Sequence, residues 1–398
     1  MIIQSNNSNA QLSKVEFSIV MPCLNEADTL VTCIKKARKS IEQHQLSAEI
    51  IVADNGSSDG SQQIAESNGA RVINVEDRGY GAALNAGIAA AEGKYIIMGD
   101  ADDSYDFSEM TPFVEKLREG CDFVIGCRFP IGGGKIMPGA MPLKHRFLGN
   151  PLLSRMGQVF FRSSITDFHC GLRGFTKEAF QRMDLHTTGM EFASEMAAKA
   201  TLLKMRIAEI PITLHKDGRS REPHLRSWRD GWRHLRFMLM YCPRWLFFYP
   251  GALLFISGAI SFLMILIKGP ITLGGIGFES NSLLVSGMAL LIGFQLMSFY
   301  VFTKVFAISE GFLPLDKKIK QFTKIFSLES GIFAGTAFFI LGLGILIDAF
   351  LIWRQLDFGY LSQFVKMKYI IPAITLMLLG VQVVLSSFFL SILGLRRK

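Results

Sequence analysis

Four apolar stretches set the first constraint on this chain. They lie at about 246–267, 282–302, 331–353 and 369–393. Each is close to the roughly 20 residues a helix needs to cross a bilayer. A segment of that length in lipid must satisfy its own backbone hydrogen bonds, so each is predicted to be a helix. The breaks between them are Lys268-Gly269-Pro270, the Lys-rich stretch 304–324, and 354–368. Charged residues inside the stretches are scarce, Asp348 being the exception. That scarcity argues against an ion-coupled transporter. Gly342 and Gly344 read as sites of close helix packing.

Basic residues set the orientation. The clusters at 226–244, 304–324 and Arg396-Arg397-Lys398 fall on one side, leaving mainly Lys268, Arg354, Lys366 and Lys368 on the other. The positive-inside rule then predicts both termini in the cytoplasm. The early apolar run 17–21 is too short for a signal peptide and reads as a strand. Just ahead of the first span, Arg226, Arg229, Arg233 and Arg236 recur at helical spacing. Leu225, Trp228, Trp232, Leu235 and Leu239 occupy an adjoining face. This is the pattern of a helix lying in the headgroup layer. The net charge of +8 therefore points to lipid phosphate and the membrane, not to nucleic acid. Six cysteines without metal spacing read as reduced thiols. The expected organisation is a cytoplasmic domain at 1–225, an interfacial helix at 226–245 and a four-helix membrane domain at 246–398.

The soluble half alternates. Strand-like runs at 16–21, 49–53, 71–74, 95–99 and 122–126 are separated by helical patterns near 26–43, 58–68, 81–91 and 108–119. Such alternation calls for an α/β domain with a mostly parallel sheet. Ligands of such sheets bind beyond the carboxyl ends of the strands. The first strand-to-helix turn is Pro22-Cys23-Leu24-Asn25-Glu26. The second runs from Asp54 to Gly60; Asp54 is placed to accept from a base or ribose, and Asp59 reads both as a ligand contact and as a helix cap. The third, Arg78-Gly79-Tyr80-Gly81, is not a dinucleotide fingerprint, because Leu84 stands at the third glycine and the turn follows the third strand. Gly79 and Gly81 are expected to let a nucleotide pass closely, with Arg78 facing its phosphates. The fourth is Asp100-Ala101-Asp102. Two carboxylates at a strand end suit one hard cation, Mg²⁺ or Mn²⁺, holding a diphosphate. Asp106 fits better as a helix cap.

At these residues the chain resembles the family 2 glycosyltransferases of GT-A fold, and more narrowly the polyprenyl-phosphate glycosyltransferases related to dolichyl-phosphate mannose and glucose synthases. The resemblance spans about 15–250. VMPCLNEADTL corresponds to the opening nucleotide-binding motif, carried by Pro22, Asn25 and Glu26. IVADNGSSDGS matches the second, with Asn55 in place of a frequent aspartate. GDADDSYDF supplies the metal pair Asp100 and Asp102, with Ala101 between them beside the nucleotide. GCRF places Arg128 where the family has an active-site arginine. DFHCGLRGF supplies Asp167 and Arg173, and GMEFASEM supplies Glu195 at the usual acidic position. EIPITLHKDGRSREP resembles the basic loop over diphosphate and acceptor, with Arg219, Ser220 and Arg221. Arg173 has a helix cap as its alternative reading, and Arg221 a solvated residue. The Gly-rich insert 129–150, with Lys135 and His145, reads as an acceptor-side lid or a plain surface loop.

The resemblance implies an inverting transfer of one sugar from a nucleotide-diphosphate sugar to a polyprenyl phosphate such as undecaprenyl or dolichyl phosphate. UDP-glucose is the favoured donor and GDP-mannose the alternative. Asp102, Arg128, Arg173 and Glu195 form the expected catalytic set, and a homo-oligomer is compatible with the sequence. A processive polysaccharide synthase is the first rival, but its QxxRW motif lacks the glutamine at Tyr241-Cys242-Pro243-Arg244-Trp245. A non-catalytic scaffold with a decayed transferase domain is the second.

Overall fold

The computed structural model describes residues 15–220, 227–310, 327–360 and 362–394, with a few positions between 313 and 322. The chain divides into two compact units, 1–238 and 239–398.

The first unit begins with β1 (Phe17–Cys23), α1 (Leu30–Gln43), β2 (Ala48–Asp54), α2 (Ser61–Ser67), β3 (Arg71–Asn74), α3 (Tyr80–Ala90) and β4 (Tyr95–Met98). It continues through α4 (Thr111–Arg118), β5 (Phe123–Cys127), β6 (Lys135–Ile136), α5 (Asn150–Phe161), β7 (Arg173–Thr176), α6 (Lys177–Met183), α7 (Phe192–Leu202), β8 (Ile207–Pro211) and β9 (Thr213–Leu214). The helix α8 (Ser227–Tyr241) follows, and the division between the units falls within it.

The five expected strands all form. They join a seven-stranded sheet of order β3-β2-β1-β4-β7-β5-β8. Pairing is parallel except at β7, which runs antiparallel to both β4 and β5. The apolar runs are continuous because helices cover both faces of the sheet. Val20, Met21, Ile51, Val52, Ile96, Val124 and Ile125 are all fully buried. Each such side chain contributes about 1.5–3 kcal/mol, so the centre of the sheet is a rigid base for the turns at its carboxyl edge.

The second unit contains four helices long and apolar enough to cross a membrane: Arg244–Lys268, Ser280–Ser309, Leu328–Gln355 and Gln363–Gly394. Glycines let them pair closely. A Cβ on Gly293 would lie 2.4 Å from the Phe255 nitrogen, and one on Gly342 would lie 2.6 Å from the Ala373 carbonyl oxygen. Gly342 thus packs as expected. Gly344 does not, since a Cβ there would meet nothing within 4 Å.

Candidate active site

The carboxyl ends of β1, β2 and β4 carry three polar turns side by side. The first two are stitched together. Asn25, in left-handed backbone at φ 57°, accepts the Ser58 N–H on its side-chain oxygen, and its own N–H donates to Ser57 Oγ. The Glu26 N–H donates to Ser61 Oγ and the Ala27 N–H to Asp59 Oδ2. Asp59 Oδ1 takes the Ser61 N–H and hydroxyl. Both of its oxygens are engaged by the chain itself, so Asp59 ties the first turn to the start of α2.

Asp54 differs. Its Oδ2 accepts from the N–H groups of Gly56 and Ser57 and from Gln62 Nε2. Its Oδ1 is buried and has no partner among the described residues. Burial raises its pKa, but bonds from Ser57, Gln62 and the backbone outweigh this and hold the carboxyl below its ordinary value. An ionised carboxylate with one unused buried oxygen calls for a donor from outside the chain. Asn55 beside it donates to the carbonyls of Val75 and Asp77 and accepts the Gly79 N–H. An aspartate there could accept but not donate, so the amide suits this chain's own loop.

On the metal-type turn, Asp100 Oδ1 accepts the Tyr80 hydroxyl at 2.9 Å. Burial and the nearby charge of Asp102 push the Asp100 carboxyl up to about 6. Asp102 Oδ1 accepts from the Ser104 N–H and hydroxyl, while Oδ2 faces Arg219 Nη1 at 3.2 Å. The Thr29 hydroxyl holds the Ala101 carbonyl at 2.7 Å. Segment 215–220 runs alongside: the His215 N–H donates to the Ser104 carbonyl and the Gly218 N–H to that of Asp102. Arg219 Nε and Nη2 clamp Glu26 at 2.7–3.1 Å, and Ser220 binds Asp28 through its N–H and hydroxyl. Arg219 therefore bridges the first turn and Asp102 from a side chain that is 13% exposed.

Asp100 and Asp102 fit a divalent cation in one respect: their mutual repulsion is what a cation would relieve. Among the described residues no group of three or more His, Cys, Asp or Glu is arranged to hold a metal. Mg²⁺ commonly takes only one or two carboxylates and completes its shell with substrate phosphates and water. The pair suits a metal shared with a diphosphate.

Several expected ligands turn inward instead. Gly79, at φ 142°, has the Thr188 carbonyl oxygen 2.2 Å from where a Cβ would stand, and a Cβ on Gly81 would meet the Thr187 carbonyl oxygen at 2.6 Å. These glycines admit the chain's own 187–188 segment. Arg78 is exposed on the loop before α3, and Pro22 is half-buried in β1. Arg128, only 7% exposed, is spent on Asp167, with Nε and Nη2 bonding its two oxygens at 2.7 and 2.8 Å. The pair clamps the end of β5 to the 167 loop.

Arg173 is fully buried and donates to the carbonyls of Phe168, Cys170 and Ala193. It ties the backbone of the 168–170 loop to that of Ala193. Glu195, also fully buried, accepts from the N–H groups of His186 and Thr187 and from the Thr187 hydroxyl, and pairs with Lys199 at 3.4 Å. It fixes the segment against which α3 starts. Arg221 lies outside the described residues. Tyr80 was not singled out from sequence; the signal for it is an aromatic directly after Gly79, opening an Ala-rich helix.

The model of the family "Glycosyl transferase family 2" matches residues 18–184, and that of the family 2 C-terminal transmembrane region matches 301–394. The low-salt glycan biosynthesis hexosyltransferase Agl6 of Haloferax volcanii is 36% identical over 95% of this chain and 89% of its own length. A dolichyl-phosphate hexose transferase of the same organism is 27% identical, covering 50% of this chain and 82% of its own. Among solved structures, glucosyl-3-phosphoglycerate synthase from Mycobacterium tuberculosis, with Mn²⁺ and UDP, aligns at a TM-score of 0.44 and 21% identity, over 57% of this chain and 80% of that one. The match to Agl6 over nearly all of both chains, with the two family regions in order, leads to one conclusion: the chain belongs to the family 2 glycosyltransferases, of GT-A fold with a C-terminal transmembrane region.

Proposed function

We propose that this membrane glycosyltransferase moves one hexose from a nucleotide-diphosphate sugar, UDP-glucose before GDP-mannose, to a polyprenyl phosphate at the cytoplasmic membrane face, inverting the anomeric carbon. The observation that carries the reading is the Asp100–Asp102 turn capped by Arg219, in a chain whose second unit is four membrane-length helices. The names of the relatives, a glycan-biosynthesis hexosyltransferase and a dolichyl-phosphate hexose transferase, support the same substrate classes.

In this reading Asp54 Oδ1 accepts from the nucleotide, and Asp100 and Asp102 hold Mg²⁺ or Mn²⁺. A bound cation neutralises charge on the departing diphosphate. Arg219 and Ser220 end the basic loop on the diphosphate side. A phosphate monoester, with a second pKa of about 6, is largely ionised at neutral pH and attacks without a strong base. This agrees with Glu195 being committed to its own chain. We assign the catalytic domain to 1–225 and the membrane domain to 246–398, with both termini cytoplasmic and 226–245 at the interface. Trp228 is 90% exposed and Trp232 54%, as headgroup anchors on that helix need.

The test presents purified full-length protein with labelled sugar nucleotides, polyprenyl phosphate and Mg²⁺. The expected product is one labelled sugar per lipid, absent with Asp102→Asn although that variant still inserts in membranes. Near-normal turnover by Asp102→Asn, or long polymers without lipid, overturns the reading.

A further inference from the structure

Segment 186–193 is anchored on two sides of Asp100. At one anchor the Thr188 carbonyl accepts the Ala82 N–H at 3.1 Å, and a Cβ on Gly81 would stand 2.9 Å from Phe192 Cβ. Tyr80, next to Gly81, bonds Asp100. At the other anchor Arg173 holds the Ala193 carbonyl. Arg173 pairs in the sheet with Met98, just before Asp100. Glu195 braces the same segment through the N–H groups of His186 and Thr187. One side chain of the segment is left over. Glu191 is half-buried at the start of α7, yet its carboxylate makes no capping bond to that helix. Its Oε2 is buried and has no hydrogen-bond partner among the described residues. The carboxylate folds back over Gly189, where a Cβ would lie 2.5 Å from Oε2, so glycine leaves it room. A buried carboxylate oxygen without a donor is costly, and an ionised carboxylate can only accept. The missing partner is therefore a donor.

We propose that Glu191 is a contact for the donor sugar, its carboxylate accepting hexose hydroxyls. The inference rests on the transfer reading given under the proposed function and names the residue that holds the sugar. A nucleotide-diphosphate sugar is linear, with the diphosphate between nucleoside and hexose. In that reading the nucleoside lies at Asp54 after β2 and the diphosphate at Asp100 and Asp102 after β4. Continuing in the same direction along the order β2-β1-β4-β7 carries the hexose to the β7 side, where Arg173 anchors the segment that bears Glu191. Neutral hydroxyls are donors that a carboxylate accepts, whereas a diphosphate is repelled by it. Because the segment is already braced by Glu195, the carboxylate is held in place before the sugar arrives, which lowers the ordering cost of binding.

The experiment measures binding to solubilised full-length protein by calorimetry with Mg²⁺, for UDP and UDP-glucose and for GDP and GDP-mannose. Glu191→Ala is expected to weaken the sugar nucleotide that the wild type binds by about tenfold or more, the loss of a hydrogen bond to a charged group. The matching nucleoside diphosphate should bind as before. Glu191→Gln, close in size, should show the same order with a smaller loss, and it serves where the alanine variant does not fold. Deoxy analogues of the sugar nucleotide, each lacking one hydroxyl, supply a readout that a structural role does not move. For the analogue missing the bonded hydroxyl, wild type and variant should bind alike. Equal weakening of nucleotide and sugar nucleotide overturns the proposal, because Glu191 then only supports the turn. So does an unchanged affinity for a sugar nucleotide that the wild type binds, a result that leaves the transfer reading standing. A wild type that binds none of the sugar nucleotides overturns the transfer reading and this inference with it.

Discussion

Removing Arg219 is expected to raise the affinity of the empty site for a divalent cation while lowering turnover. The guanidinium faces Asp102 Oδ2 across 3.2 Å and clamps Glu26 with its other nitrogens. At an effective dielectric of about 20, one charge pair at that distance is worth about 5 kcal/mol gross. Desolvation of both partners offsets most of this. A net contribution of about 1.4 kcal/mol is a factor of about ten in an equilibrium constant. In the proposed reading a cation binding Asp102 forgoes that contribution, because the guanidinium and the metal would draw on the same carboxylate. Arg219→Ala should therefore bind Mn²⁺ about tenfold more tightly without nucleotide, read by electron paramagnetic resonance of free Mn²⁺. Arg219→Lys, which keeps a charge but not the fork, should fall between. If Arg219 merely holds the loop closed, its loss should loosen the turn and weaken Mn²⁺. Unchanged or weaker binding in a variant that still binds UDP refutes the reasoning.

Asp54→Asn is expected to weaken UDP binding about tenfold by calorimetry, because the unused Oδ1 is the oxygen left for an outside donor; unaltered affinity removes Asp54 from the site. Arg173→Lys should destabilise the catalytic unit by about 3 kcal/mol, since one ammonium cannot span the carbonyls of Phe168, Cys170 and Ala193. Its thermal midpoint should fall, while KM for the sugar nucleotide in the remaining folded protein stays unchanged. A raised KM at unchanged stability returns Arg173 to the phosphates.

The parts legible in the sequence were those in which burial leaves a run. β1, β2, β4 and β5 are covered on both faces and read as unbroken apolar segments, and their turn residues Asp54 and Asp100 follow at once. β7 is only Arg-Gly-Phe-Thr. Nothing local marks it as a strand, since its place depends on β4 and β5 on either side and on carbonyls that receive Arg173. The same distance between pattern and contact explains Arg128 and Glu195. A motif says that a guanidinium or carboxylate is needed at a position. It does not say whether the head group meets a ligand or the protein's own backbone. Gly79 carries the same ambiguity, because a missing Cβ admits a nucleotide and a Thr188 carbonyl equally well.

The acidic turn also shows why the basic loop lies closed over it. Burial and the charge of Asp102 raise the Asp100 carboxyl to about 6, above the value of about 4 for an unfolded aspartate. Between those two values the folded state holds more protons than the unfolded state. Stability from this group is therefore present below pH of about 4 and is lost as pH rises towards 6. At neutral pH the turn is a net liability, carrying Asp100 and Asp102 together with the nearby Glu26. Tyr80 and Arg219 offset it, one by a hydrogen bond to Asp100 and the other by charge. A divalent cation would take over the second task and leave Arg219 available to a diphosphate.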